Sequence, residues 1–376
     1  MSHHPGRLRR LRRALTVLAM TAAIGAPGTV AFGDSPNQPH PLRPWVKSCV
    51  RHHGPVGLVH CLGRHPRQET TPRAGASLPR LTSSIDELET PTANAAPVGI
   101  TTGSDDNLWF TENAANKIGR VTTGGTFTEY SITTSDSGPA QITAGPDGAL
   151  WFTESNANKI GRITTGGTIT EYSVPTSGAY PWGITAGPDG ALWFTEPGAD
   201  NIGRITTGGT ITEYALPTSG AYPLGITTGP DDNLWFTEVL SGSIGQITTG
   251  GTVTEHAVPT VDSLPIGITA GPDDNLWFTD AGAAQIGQVT TSGDFTGYDL
   301  TDAVFPFPWG ITAGPDGALW FTETDGNDIG RITTGGTITE FAIPTSSSSP
   351  LEITTGPDDN LWFTENSTSQ IGQVTP

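Results

Sequence analysis

Pro181-Trp182-Gly183-Ile184-Thr185-Ala186-Gly187-Pro188-Asp189-Gly190-Ala191-Leu192-Trp193-Phe194-Thr195-Glu196 is one copy of a phrase that the chain repeats seven times. Its core, Leu-Trp-Phe-Thr, places a tryptophan at Trp109, Trp151, Trp193, Trp235, Trp277, Trp320 and Trp362, in steps of 42, 42, 42, 42, 43 and 42 residues. A fixed period of this size marks an array of supersecondary units. Because the copies are nearly identical, they read mostly as scaffold, and chemistry is expected where they differ.

Within a unit, a Gly-Ile-Thr strand meets Pro188-Asp189-Gly190, a turn in which proline presets φ and glycine takes φ > 0. The aromatic strand follows, then Asn201 to Thr206, a Gly208-Gly209 hairpin turn and Thr210 to Tyr214. Four short antiparallel strands, A to D, with no helical period, form one propeller blade. Seven copies predict an all-β, seven-bladed β-propeller over residues 81–376. The last copy stops after strand C, at Pro376. Ser84 to Thr92 aligns with Thr168 to Thr176, so residues 84–90 are expected to supply the missing outer strand and close the ring.

Charge divides the chain of 376 residues. Residues 1–80 hold 12 of the 18 Lys and Arg and only two acids, whereas the remainder holds 6 bases and 35 acids. A body of net charge −29 repels phosphate backbones, which argues against nucleic acid and favours cations and basic ligands. Residues 1–31 read as a signal peptide: Arg7, Arg9, Arg10, Arg12 and Arg13, an apolar stretch from Leu15 to Ile24, and a cleavage site at Thr29-Val30-Ala31. The apolar run is short for a membrane span and no second one follows, so a secreted, extracellular monomer is expected, with Sec or Tat export open. Residues 32–80, rich in Pro, Arg and His, read as a disordered linker able to hold anionic cell-wall polymers. Cys49 and Cys61 are expected to pair outside the cell; a metal site with His52, His53, His60 and His65 is the other reading.

Hairpin symmetry about Asp189 makes Trp182 and Glu196 cross-strand neighbours and defines a mouth at one end of the ring. Strand B ends in Glu112, Glu154, Glu196, Glu238, Asp280, Glu323 and Glu365. Seven carboxylates on one rim suit a divalent cation, Glu323 and Glu365 being the candidate ligands; alternatively each accepts backbone N–H bonds from its own B–C turn. The residues opening strand A vary: Val98, Ala140, Trp182, Leu224, Ile266, Trp309 and Leu351. With Tyr180, Tyr222, Phe305 and Phe307 beside them, the candidate ligand-binding mouth is Tyr180, Trp182, Tyr222, Phe307 and Trp309. The alternative is that these rings pack loops between blades.

The unit Pro-x-Gly-Ile-Thr, Leu-Trp-Phe-Thr-Glu, Lys-Ile-Gly-Arg-Ile-Thr, Thr-Glu-Tyr, Pro-Thr resembles the repeat of the streptogramin B (virginiamycin B) lyases, over all of residues 84–376. That resemblance implies a Mg²⁺-dependent lyase that opens a cyclic depsipeptide antibiotic at its ester by elimination, an antibiotic-resistance activity. It implies a histidine before strand A of the sixth unit, a Glu-Pro-His before strand A of the seventh, and the acid ending strand B of the seventh. Here those positions hold Trp309; Ser349, Pro350 and Leu351; and Glu365. Only Glu365 matches, as the candidate catalytic residue, and an elimination needs a base that leucine cannot supply. The single propeller histidine, His256, replaces a strand-D tyrosine and is expected on the outer surface.

Three functions follow from these residues: a secreted binding propeller for a small-molecule or peptide ligand, a Mg²⁺-dependent lyase or hydrolase of a cyclic ester, and a structural cell-surface protein.

Overall fold

The computed structural model describes residues 84–300 and 306–376. These form seven four-stranded antiparallel sheets and no helix. The third blade is representative, with strands Ile184–Ala186, Ala191–Glu196, Asn201–Thr206 and Ile211–Ala215. Strand A of each blade packs against strand A of the next, so these strands are innermost and surround the axis. The result is a seven-bladed β-propeller. The signal peptide, the linker, the Cys49–Cys61 pairing and Phe305 fall outside the described residues.

The seventh sheet runs Ile85–Glu89, Gln370–Val374, Leu361–Glu365, Pro350–Thr355, from outside in. The N-terminal strand therefore lies against the C-terminal one, with Ile85 opposite Val374 and Glu89 opposite Gln370. Glu87 Oε1 also accepts the Thr345 N–H at 2.9 Å and its Oε2 the Thr345 hydroxyl, which ties this strand to the sixth blade.

Each letter of Leu-Trp-Phe-Thr-Glu has a separate duty. All five residues are buried, because strand B lies between neighbouring blades and has no solvent face. The Trp193 indole N–H donates to Asp189 Oδ1 of the Pro-Asp-Gly turn at 3.1 Å, and its ring stacks on Tyr214. Phe194 lies flat over Gly203 of strand C, where a Cβ would sit 2.1 Å from Cζ. Thr195 Oγ1 accepts the Gly183 N–H at 2.9 Å and donates to Leu224 O of the next blade at 2.8 Å. This threonine bridge recurs at Thr111, Thr153, Thr237, Thr279, Thr322 and Thr364, making a closed belt of hydrogen bonds around the axis.

The belt exists because strand A is bulged. Pro223 pairs with Glu238 while Ile226 pairs with Phe236, so two residues face one between them. The hairpin symmetry expected from sequence is therefore off by one residue at the mouth: the acid opposes the proline, not the residue after it. The bulge frees a glycine N–H to reach the threonine hydroxyl instead of a strand partner.

Candidate functional site

The seven acids ending strand B are fully buried, so they do not form a rim. Each glutamate lies beside a strand-D glutamate of its own blade, Glu112 by Glu129 and Glu365 by Glu87, in space left by the strand-C glycine. Burial first, and then the neighbouring carboxylate, raises Glu112 from 4.5 to about 8 and Glu154 to about 7. Burial likewise lifts Glu196 to about 8 and Glu238 and Glu365 to about 7. Backbone capping holds at Asp280 alone among these seven: its Oδ1 accepts the Leu264 N–H at 2.8 Å and the Ala283 N–H at 3.2 Å. Its blade has Gly297 where the others have the second glutamate.

The two candidate metal ligands belong to separate groups. Glu323 stands with Asp328 and Glu340 of the sixth blade, ligand atoms within 4.8 Å of one another. Glu365 is accompanied by Glu87 and by the Thr368 hydroxyl, 3.4 Å from Oε2.

Four of the five mouth aromatics come together. Trp182, Tyr222, Phe307 and Trp309 join Val98, Ala140, Leu224, Ile266 and Leu351 in one buried apolar cluster across the axis. Phe307 and Trp309 lie with ring centroids 6.2 Å apart. Trp309 is 0% exposed and Leu351 1%. The mouth is thus closed by a plug. Tyr180 stands outside it at 43% exposure, and Val261, in another D-to-A connection, is 55% exposed. Tyr180, Tyr222 and Phe307 have φ of 51°, 58° and 50°, left-handed values that cost a bulky side chain roughly 1 kcal/mol or more. Gly138 occupies the corresponding place in the second blade. His256 is half-buried rather than on the surface: it stacks on Trp235 with centroids 5.6 Å apart, as the tyrosines of other blades stack on theirs.

Beneath the plug, two residues missed by the sequence reading meet on the axis. Gln141 Nε2 donates to Glu352 Oε1 at 2.7 Å, and Trp309 Nε1 donates to the same oxygen at 3.2 Å. The signal was present, since these positions are glycine in the other five units: Gly99, Gly183, Gly225, Gly267 and Gly310. Enclosure raises the Glu352 carboxyl to about 7, against the opposing bonds from Gln141 and Trp309.

A seven-bladed propeller closed by its own N-terminal strand, with a threonine belt and an axial plug, is the class these features define. The sequence matches the virginiamycin B lyase family over residues 83–307 and 303–376, and the chain belongs to that family. Virginiamycin B lyase from Staphylococcus aureus is 42% identical, with TM-score 0.75 over 78% of this chain and 99% of that one. A streptogramin B lyase structure is 40% identical, with TM-score 0.75 over 78% and 97%. A catalytically inactive histidine-to-alanine variant of the S. aureus enzyme, with quinupristin, is 42% identical with TM-score 0.75 over 78% and 99%.

The residues here do not fit the magnesium site that the resemblance implies. Trp309 and Leu351 offer no lone pair and are sealed in the plug. Ser349 Oγ accepts from Ser367 at 2.9 Å, and Glu365 is fully buried.

Proposed function

We propose that this chain is a binding propeller of the virginiamycin B lyase family that does not perform the elimination. The observation that carries this reading is the identity and burial of Trp309 and Leu351 at the two histidine positions. Neither side chain can take a proton, and both are packed among carbon. A histidine-to-alanine variant of the S. aureus enzyme is described as catalytically inactive, and this chain has no histidine at either position that the resemblance marks. The ligand, a small molecule or peptide, docks on the mouth face, where Tyr180 and Val261 are exposed beside the plug. The Arg-rich and apolar N-terminal segment supports secretion, and the basic residues 32–80 support attachment to an anionic wall polymer.

A second reading retains lyase activity, favoured by 42% identity over 99% of the S. aureus enzyme. Incubating the full chain with quinupristin and Mg²⁺ and following it by liquid chromatography with mass detection separates the two. An unchanged substrate peak is expected. A new peak of unchanged mass means elimination and overturns the proposal; a peak heavier by one water means hydrolysis and also overturns it. Metal-dependent turnover lost in Glu365→Gln would assign that acid to the reaction.

A further inference from the structure

Five of the seven positions before Ile-Thr are glycine because the innermost strands approach too closely for anything larger. A Cβ at Gly183 would lie 2.3 Å from Leu224 O, and one at Gly267 would lie 2.4 Å from Trp309 O. The axis is therefore walled largely by backbone, and of the seven positions before Ile-Thr only Gln141 and Glu352 carry a side chain. Around them is a cavity of about 80 Å³, lined also by Trp182, Trp309, Ile226 and Ile268. That volume holds a few waters or an ion of a few heavy atoms. Glu352 and Gln141 are half-buried, so neither side chain is sealed from solvent.

The chemistry of this cavity is specific. Both protein donors go to one oxygen of Glu352, while Oε2 accepts no hydrogen bond among the described residues. No lysine, arginine or histidine of the described residues forms an ion pair with Glu352. A carboxylate here has no counter-ion among the described residues, in a body of net charge −29 over residues 81–376. With its Nε2 committed to Glu352, Gln141 still has a carbonyl oxygen to offer. With one carboxylate and one amide oxygen, Mg²⁺ or Ca²⁺ would have to complete its shell of roughly six or more oxygens with water, in a cavity otherwise lined largely by carbon. Two indoles and isoleucine side chains suit a cation that carries carbon.

We propose that the axial cavity binds a small primary alkylammonium ion, its nitrogen on Glu352 Oε2 and the Gln141 carbonyl and its alkyl group against Ile226, Ile268 and the indole of Trp182. This site lies below the plug and shares Trp182 and Trp309 with it, but its polar groups, Glu352 and Gln141, play no part in the function proposed above. Binding releases to solvent the proton that enclosure favours on Glu352, and the ammonium then neutralises the carboxylate.

The test is a titration of the full ¹⁵N-labelled chain with ethylammonium chloride, against sodium chloride at matched ionic strength. The Trp309 indole N–H, identified by its loss in Trp309→Phe, is the reporter because it bonds to Glu352. An ion of three heavy atoms is limited to a Kd of about 1 mM or weaker, so millimolar titrant is needed. A saturable shift of that signal is expected, weakened about tenfold or more in Glu352→Gln, which keeps the shape but removes the charge. Glu352→Gly, which restores the residue of the other blades, is expected to lose the response, with melting temperature showing that both variants fold. No saturable shift, or equal affinity in Glu352→Gln, overturns the proposal. A shift driven by MgCl₂ or CaCl₂ and not by ethylammonium overturns it in favour of a metal.

Discussion

Thr364 Oγ1 donates a hydrogen bond to Val98 O at 2.8 Å, joining two residues 266 positions apart and completing the belt between the last blade and the first. The same hydroxyl accepts the N–H of Glu352 at 3.1 Å, so one small side chain satisfies two buried backbone groups. Thr364→Val keeps the shape and strands both groups. Each costs about 1–3 kcal/mol when left without a partner. A fall in melting temperature of several degrees is expected, with Thr364→Ser close to the parent. Equal melting of parent and Thr364→Val would show that the belt contributes nothing to closure.

The strand Ile85–Glu89 is expected to matter as much as any strand inside a blade. Removing residues 81–95 exposes the strand edge at Gln370–Val374 and deletes the Glu87 bonds to Thr345. The melting temperature should drop by many degrees, measurable by circular dichroism. A less drastic check is Glu87→Gln, which weakens both bonds to Thr345 and should cost about 1 kcal/mol.

Stability should peak at mildly acidic pH. Glu112 and Glu196 hold their protons to about pH 8, and Glu154, Glu238 and Glu365 to about 7. The unfolded chain releases those protons near 4.5, so the folded state binds more protons across that window and stability falls as pH rises through it. At the acid end the sign reverses. Burial alone would raise Asp147, Asp189 and Asp316, but bonds from their tryptophan and arginine partners outweigh it and hold them below 3.8. Their contribution is present above the ordinary aspartate value and is lost as pH falls below about 4. Thermal melts at about pH 3, 5 and 8 should therefore be highest at 5. Glu196→Gln should narrow the gap between 5 and 8; an unchanged gap would assign the effect to overall charge repulsion instead.

Gly203 should tolerate no side chain. Phe194 is fully buried, so its ring cannot yield to a Cβ at 2.1 Å. Gly203→Ala should cost about 1–3 kcal/mol through overpacking. Gly208→Ala, in the hairpin turn, meets only Thr206 Oγ1 at 3.8 Å and should melt close to the parent.

The fold was legible because its determinants recur: the period, the Asp189 turn and the closing strand each appear as pattern. Glu196 was harder to place. A charged residue at a strand end reads as solvent-facing, and its burial depends on a strand-D glutamate brought alongside by the sheet, a pairing no local pattern displays. The plug is a property of ring closure. Seven residues spaced about 42 apart look like a variable rim until their volumes are summed at one axis. Glu352 and Gln141 are visible as exceptions to glycine, but only ring closure brings the second and seventh blades together on the axis, where these two side chains meet.

The closing strand also fixes the order of events during synthesis. Ile85 leaves the ribosome before any blade exists, yet its partner Val374 follows the aromatic strand of every blade. Ile85–Glu89 has no partner in the seventh sheet until Gln370–Val374 is made. A chain cut short anywhere before that point cannot shut and carries a strand edge at its final blade. Pairing Ile85–Glu89 with Gln370–Val374 thus covers a strand edge that would otherwise stand open to other unfinished chains.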